Sequence, residues 1–300
     1  MTTAAPVLAD ALGPRARRRV LVASVVSGAL VAAGLVVAVR RLEANGQLDA
    51  EKWRPLTQWS VMKFLLGGLA NTIKAAVTSM GIAIAIGGTV ALARLARNRP
   101  QRWLAALYVE FFRGLPLLLL ILFSWLGLPR LGVRLETFWY LVIGLSIYNS
   151  AVLAEIFRAG ILSLDRGQSE AAYAVGLGYW QSMAFVIVPQ AVRRMVPAIV
   201  SQLVTLLKDT SLGVFIFYEE LLRRARITGE FFLINLQALS LAALVYIAVN
   251  ASLSQVATRL EARQRQRYGA GRIDVAGIED LAVTNAKAGA ALEQQGAPAA

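Results

Sequence analysis

Long apolar runs without charged residues alternate along the chain with short segments that hold the charges. A helix rises about 1.5 Å per residue, so roughly 20 apolar residues cross a hydrocarbon core about 30 Å thick. Such runs predict six membrane-spanning helices, at Val20 to Val39, Ala75 to Ala93, Gly114 to Pro129, Thr137 to Ala154, Met195 to Leu207 and Phe231 to Thr258. The second is expected to begin earlier, near Leu66, and the third to extend back to about Trp103. The pattern predicts an all-α integral membrane protein of the multi-pass class.

The distribution of arginine predicts the orientation in the membrane. Six spans place both termini on one side, and Lys and Arg accumulate in cytoplasmic loops. The larger set of arginines lies on the side of the termini: Arg15, Arg17, Arg18, Arg19, Arg94, Arg97, Arg99, Arg102, Arg158, Arg166, Arg193, Arg194, Arg259, Arg263, Arg265 and Arg267. Both termini are therefore predicted to be cytoplasmic, and residues 161–189 form a cytoplasmic loop between the fourth and fifth spans.

The first apolar run has two interpretations, a signal peptide or a retained anchor. It is longer than the usual signal-peptide core of roughly 7 to 15 residues, and Arg40 and Arg41 follow it in place of a cleavage site. We expect a retained anchor. The predicted domains are a cytoplasmic tail at 1–19, the extra helix and an external loop at 20–60, a transmembrane domain at 61–260 and a disordered cytoplasmic tail at 261–300.

Composition agrees with a membrane protein and excludes several kinds of chemistry. The chain is 57% hydrophobic and 16% charged, and its net charge of +13 fits the cytoplasmic arginines without a nucleic-acid partner. It contains no Cys and no His, which excludes disulfides, thiolate nucleophiles, imidazole metal ligands and His-dependent triads. We expect no catalytic residue and no metal site.

The loop at 161–189 is too patterned for a plain linker. Asp165 and Gln168 stand at the spacing of a capping box, and Glu170 is expected in the first helical turn. The predicted helix runs from about Gly167 to Gly178. Its Ala-rich face, with little side-chain bulk, is suited to insertion into the groove of a partner protein.

Six ordered segments of the sequence carry a family resemblance. They are ANTIKAA at 70–76, VEFFRGLPLLL at 109–119, AEIFRAGI at 154–161, GQSEAA at 167–172, VPQAVRRMVPA at 188–198 and LLKDTSLG at 206–213. In this order they resemble the permease subunits of ATP-binding-cassette (ABC) importers, in the polar amino-acid branch. The loop resembles the EAA motif of these subunits, with Val186 and Val188 where the family usually has Ile and Leu.

The resemblance implies a transport subunit that works with several partners. These are an ABC ATPase dimer, a second permease subunit, either identical or a paralogue, and an extracytoplasmic amino-acid-binding protein. The chain has no Gly-rich loop ending in Gly-Lys-Ser/Thr, so ATP and Mg are expected on the partner ATPase and no cofactor in this chain. The expected ATPase-docking residues are Gly167, Gln168, Glu170, Ala171, Ala172 and Gly176, with Ala171 and Ala172 at the contact.

The substrate is suggested by a narrower resemblance. The extra helix and the segment RLEANGQLDAEKWRP at 41–55 look most like the glutamate-type permeases of actinobacteria. This implies glutamate or a related acidic amino acid, with the other amino acids remaining open.

Ionisable and polar residues at membrane depth are candidates for the translocation path or for structural ion pairs. The pairs Glu110 with Arg113 and Glu155 with Arg158 are three residues apart and can neutralise themselves on one helix face. The candidates for the path or its gate are Asn149, Thr205, Lys208 and Asp209. The last two either brace an outer gate or contact the carboxylate and amine of the substrate.

The main alternative is a stand-alone secondary amino-acid transporter. Such proteins often contain inverted repeats and interrupted helices, and no convincing internal repeat is visible in the sequence. A membrane enzyme lacks a nucleophile and base, and a scaffold or receptor would be expected to carry a folded soluble domain. The sequence therefore favours the permease subunit of an importer.

Overall fold

The computed structural model describes residues 13–96 and 98–269, and all regular elements within them are helical. The α-helices are α1 Pro14–Ala44, α2 Ala50–Trp53, α3 Trp59–Arg94, α4 Arg99–Gly114, α5 Leu117–Arg130, α6 Thr137–Leu162, α7 Arg166–Ala174, α8 Tyr179–Ser182, α9 Val188–Asp209, α10 Leu221–Phe232 and α11 Asn235–Gly269. Short 3-10 helices at Arg54–Thr57 and Thr210–Ile216 and a π-helical turn at Met183–Ile187 connect them. The all-α prediction is confirmed for this part of the chain.

Five helical stretches of the described residues are long and apolar enough to cross a membrane. They are Arg15–Ala44, Trp59–Arg94, Thr137–Leu162, Tyr179–Ile216 and Asn235–Arg263. A sixth span exists if α4 and α5, which meet at 97°, are counted as one broken span. The six predicted spans thus correspond to these five stretches and, if the bent pair is counted as one span, to a sixth.

The expected single helix from Trp103 to Pro129 is wrong. The chain leaves the helical conformation at Leu115, with φ −84° and ψ 137°, and α5 starts after Pro116. Proline lacks the N–H that would continue the helical ladder, and it pushes the preceding residue to an extended conformation. The apolar run continues through the break, which is why hydropathy alone did not show it.

Helix α6 is the centre of the bundle, and 67% of the residues in its most apolar 18-residue stretch are buried. Glycines allow its neighbours to approach closely. A Cβ on Gly87 of α3 would lie 2.7 Å from the Ser150 carbonyl oxygen, and a Cβ on Gly144 would lie 2.8 Å from the Ile121 Cα of α5. These contacts hold α3 and α5 against opposite parts of α6 and fix the register of the bundle.

Replacing Gly144 with alanine is expected to destabilise the bundle. The added methyl group would overlap with the α5 backbone, and overpacking of this kind costs about 1–3 kcal/mol. The matched control is Gly127→Ala on α5, where a Cβ would meet nothing within 4 Å. Thermal unfolding of the detergent-solubilised protein should show a lower midpoint for Gly144→Ala only. Equal midpoints for both variants would contradict the close contact of α5 and α6.

Helix α1 stands apart from the bundle, and no residue in its most apolar 18-residue stretch is buried. The segment after it is held by the Gln237 side chain, whose Nε2 donates to the Gln47 carbonyl oxygen at 2.6 Å. At the other end of the chain, α11 continues to Gly269, so residues 261–269 of the predicted disordered tail are helical. Residues 1–12 and 270–300 of the predicted tails lie outside the described residues.

Candidate functional site

The predicted helix in the loop between α6 and α9 is present as α7. The Asp165 side chain accepts a hydrogen bond from the Gly167 amide at 2.8 Å, which fixes the start of the helix at Arg166. The helix ends at Ala174, before the predicted end. Gly176 has φ +84°, and its amide donates to the Tyr173 carbonyl oxygen at 3.0 Å. A glycine is required there because other residues rarely adopt the left-handed conformation that closes a helix in this way.

Most of the predicted docking residues lie on the outside of α7, with one exception. Gly167, Gln168, Glu170, Ala171 and Gly176 are exposed. Ala172 is only 4% exposed and so does not lie on the outer surface of α7. The helix packs Ala172 against its own chain and turns Ala171 outward, since adjacent helical positions point about 100° apart.

Large apolar side chains surround this loop and were not recognised from the sequence. Val175 is 77% exposed, and Tyr173 and Trp180 are also exposed. The available signal was the presence of apolar residues on both sides of Gly176, in a loop expected to lie outside the bilayer. Together with Ala171 these three residues form what we call the loop surface.

Hydrogen bonds tie the loop that carries the loop surface to residues in or directly after three helices. The Gln190 side chain of α9 donates to the Gln168 side chain of α7 at 3.0 Å, so Gln168 does not close the predicted capping box. The Tyr179 hydroxyl donates to the Leu95 carbonyl oxygen after α3 at 2.8 Å, and Arg194 donates to the Ser163 carbonyl oxygen after α6 at 3.0 Å. A displacement of the loop would therefore act on α3, α6 and α9.

The two predicted ion pairs have different outcomes. Glu155 and Arg158 are paired at 2.5 Å, and Arg94 of α3 adds a second partner for Glu155. Glu110 and Arg113 are both exposed, and no ion pair joins them in the described part of the chain. An exposed pair gains little Coulomb energy and loses side-chain entropy, which explains why proximity in sequence was not sufficient.

The four candidate path residues differ in their exposure: one is buried, and three lie on an open face of α9 or beside it. Asn149 is buried on α6, where its Nδ2 donates to the Leu145 carbonyl oxygen at 2.8 Å and its Oδ1 accepts from Gln202 of α9 at 2.7 Å. Its hydrogen bonds hold α6 and α9 together, so the structure does not place it on an open surface as a path residue would require. Thr205 and Lys208, in contrast, are exposed on α9, and Asp209 is half-buried beside them.

The open face of α9 is polar over about two turns. Ser201, Thr205 and Lys208 follow one another at helical spacing and are all exposed. Lys208 also lines a cavity of about 430 Å³, together with Ser211, Leu222, Leu239, Ala242, Ala243 and Tyr246. No group of three or more His, Cys, Asp or Glu side chains that could hold a metal ion occurs in residues 13–96 and 98–269.

Glu220 is a buried carboxylate that no pattern in the sequence indicated. Its oxygens accept hydrogen bonds from the Leu222 and Arg223 amides at 2.7 and 2.6 Å, which caps α10. They also accept from the Tyr246 hydroxyl of α11 at 2.6 Å. Burial raises the pKa of the Glu220 carboxyl, against the lowering effect of these hydrogen bonds. Glu220 thus joins α10 to α11.

Two relatives align with more than two thirds of this chain. The chain is 39% identical over 230 residues to the glutamate transport system permease protein GluD of Corynebacterium glutamicum, covering 75% of this chain and 84% of the relative. It is 44% identical over 209 residues to the probable glutamine ABC transporter permease protein GlnP of Bacillus subtilis, covering 68% and 94%.

Solved structures show the same fold. A crystal structure of an amino acid ABC transporter with histidines superposes with a TM-score of 0.65 at 30% identity, covering 69% of this chain and 97% of that one. An inward-facing structure of the MetNI methionine ABC transporter gives 0.61 at 18% identity, with 69% and 99% coverage. Residues 58–266 match a single family, and the chain therefore belongs to the inner membrane components of binding-protein-dependent transport systems.

Proposed function

We propose that this protein is the permease subunit of an ATP-driven importer for glutamate or a related acidic amino acid. A separate ATPase docks on the loop surface and drives the conformational change that transports the substrate. Membership in the amino-acid ABC permeases supports the assignment of the chain to an importer. The name of the actinobacterial relative GluD supports the acidic substrate. The observation that carries the coupling proposal is the loop surface itself, a cluster of exposed apolar side chains on a loop tied to three membrane helices.

The loop surface has the properties of a docking site for an ATPase dimer. Exposed apolar residues next to a small exposed residue fit a groove in a partner protein. We place this end of the bundle and both termini in the cytoplasm, where the ATPase would bind ATP and Mg. When the ATPase dimer closes, α7 moves as a rigid body, and its bond from Gln190 transmits the movement to α9.

The open face of α9 is the proposed path. Polar side chains on a membrane-spanning helix are costly in lipid, so Ser201, Thr205 and Lys208 should face water or a neighbouring subunit. A second permease subunit, identical or paralogous, would enclose this face between the two chains. An extracytoplasmic binding protein would deliver the amino acid to the opposite end from the loop surface.

Stimulation of ATPase activity tests the proposal. The complex of permease, ATPase and binding protein is purified into lipid, and individual amino acids are titrated. Stimulation by glutamate or aspartate alone is the expected result. Stimulation by another amino acid would reject the acidic substrate and leave the proposal of ATP-driven import intact. Gradient-driven transport by the chain without any ATPase would instead establish a stand-alone secondary transporter.

A further inference from the structure

A cavity lies where α7 meets the ends of α3 and α6. Its volume of about 460 Å³ falls in the range of small-molecule sites, about 300–1,000 Å³, and far exceeds the space that one water molecule needs. The lining comes from the end of α6, the residue after α3, helix α7, helix α8 and the π-helical turn after α8. The cavity shares Tyr173 with the loop surface and no residue with the open face of α9. It therefore adjoins the proposed docking site and is separate from the proposed path.

One side of the cavity is a polar face of α7. Arg166, Ser169 and Tyr173 follow one another at intervals of three and four residues, so they lie on the same face of the helix. Arg166 is exposed, and it takes part in no ion pair of the described residues. A guanidinium presents its donors as a planar fork that matches the oxygens of a carboxylate or phosphate. This face therefore favours an anionic group.

The hydroxyl of Ser182 indicates that the occupant of the cavity is polar in part. Ser182 borders the cavity and is only 1% exposed. Its Oγ has no hydrogen-bond partner in residues 13–96 and 98–269, although buried polar atoms in proteins are nearly always paired. The residue is followed directly by the π-helical turn Met183–Ile187, and such turns are frequent at functional sites. A hydrogen-bonding group in the cavity would supply the partner that the chain does not.

The rest of the lining is apolar and reaches the outside of the bundle. It is formed by Leu95, Ile161, Leu162, Leu164, Met183 and Ile187. Leu162 is 59% exposed at the end of α6, and Phe185 is 73% exposed on the π-helical turn. Helix α6 has 26 residues and extends about 39 Å, which exceeds the hydrocarbon core of about 30 Å, so its ends lie at the level of the lipid headgroups. An occupant with a charged head and an apolar tail matches both kinds of lining.

We propose that the cavity binds the headgroup of an anionic phospholipid of the cytoplasmic leaflet. The phosphate accepts hydrogen bonds from the Arg166 guanidinium, and the hydroxyls of Ser169 and Tyr173 supply further donors. The upper part of the acyl chains lies on the apolar lining near Leu162. A zwitterionic headgroup would bring a second cation close to Arg166, so a headgroup with a net negative charge should bind more tightly.

A soluble phosphate ester is the other source of the same anion. It would leave the apolar lining without contacts, which favours the lipid. The choice of leaflet rests on the proposed function, because that function places this end of the bundle in the cytoplasm.

The chain contains no Cys, so a single introduced cysteine can report on the cavity. The full-length permease is reconstituted into nanodiscs of phosphatidylglycerol or of phosphatidylcholine, and the rate at which a maleimide labels Ser169→Cys is measured. Asn98→Cys, at an exposed position between α3 and α4, corrects for the general effect of each lipid on thiol reactivity. Phosphatidylglycerol should slow the labelling of Ser169→Cys roughly 10-fold, as expected for a site that is about nine-tenths occupied.

A second substitution tests the role of the Arg166 charge. Loss of charge-assisted hydrogen bonds lowers affinity roughly 10- to 100-fold, so Arg166→Gln should reduce the protection of the thiol to less than about 2-fold. Arg99 is an exposed arginine at the first residue of α4 and does not line the cavity. Arg99→Gln should therefore keep the full protection.

Three results would overturn the proposal. Equal corrected labelling rates in the two lipids would show that no anionic headgroup occupies the cavity. Equal protection in Arg166→Gln and Arg99→Gln would show a general effect of charge and no site at Arg166. Protection by glycerol phosphate added to phosphatidylcholine nanodiscs would assign the cavity to a soluble ligand. Because ATPase and binding protein are absent from the measurement, failure of the proposed function would leave each of these results unchanged.

Discussion

Leucine at Ala171 should strongly reduce ATP-driven uptake and leave the permease folded. Ala171 points away from its own chain, so solvent can accommodate the larger side chain until a partner docks. In a closely packed docking groove, the same side chain causes overpacking that costs about 1–3 kcal/mol. This corresponds to a loss of docking affinity of roughly 5- to 150-fold. The measurements are the amount of ATPase that copurifies with the permease and the rate of uptake in proteoliposomes.

Two further leucine variants separate docking from folding. Ala38 is exposed on α1, away from the loop, and Ala38→Leu should behave as the wild type in both measurements. Ala172 is buried, and Ala172→Leu should instead lower the thermal unfolding midpoint of the isolated permease. If Ala171→Leu retained full uptake and normal amounts of ATPase, α7 would not be part of the docking site.

Alanine at Glu220 should cause the largest loss of stability among single substitutions in the loop before α10. The change removes the cap of α10 and leaves two amides and the Tyr246 hydroxyl without their acceptor in a buried position. Loss of the cap and of buried hydrogen bonds costs about 2–5 kcal/mol. Unfolding of the detergent-solubilised protein, followed by tryptophan fluorescence, measures the change.

The neighbouring residue provides a matched control for this prediction. Glu219 is exposed, and its carboxylate pairs with Arg224 at 3.1 Å. An exposed pair of this kind contributes about 0–1 kcal/mol, so Glu219→Ala should change the free energy of unfolding very little. Equal effects of the two substitutions would show that the hydrogen bonds of Glu220 do not stabilise the fold.

The membrane helices could be predicted because lipid imposes a simple requirement on the sequence. A span must be apolar over its full length and must satisfy its backbone hydrogen bonds internally, which leaves a continuous signal. The break between α4 and α5 also has a local signal, in Pro116 and the extended residue before it. It was missed because the apolar run does not stop at the bend. Local geometry changed there without a change in hydropathy.

The relation between distant helices was harder to predict than the helices themselves. Arg94 is 61 positions from Glu155, and their pairing depends on the register of α3 against α6. The bond of Asn149 to Gln202 likewise depends on how α9 lies against α6. The orientation of α7 decides whether Ala171 or Ala172 faces outward. Each of these follows from tertiary packing, which a single sequence without aligned relatives does not reveal.

The isolation of α1 has a consequence for how the protein is made. Each other span packs on a neighbour that follows or precedes it, so its final burial waits for the rest of the bundle. No residue in the most apolar stretch of α1 is buried against the rest of the protein. The hydrogen bond from Gln237 joins the segment after α1 to the bundle. Insertion of α1 into the bilayer therefore need not wait for any other helix of the described bundle.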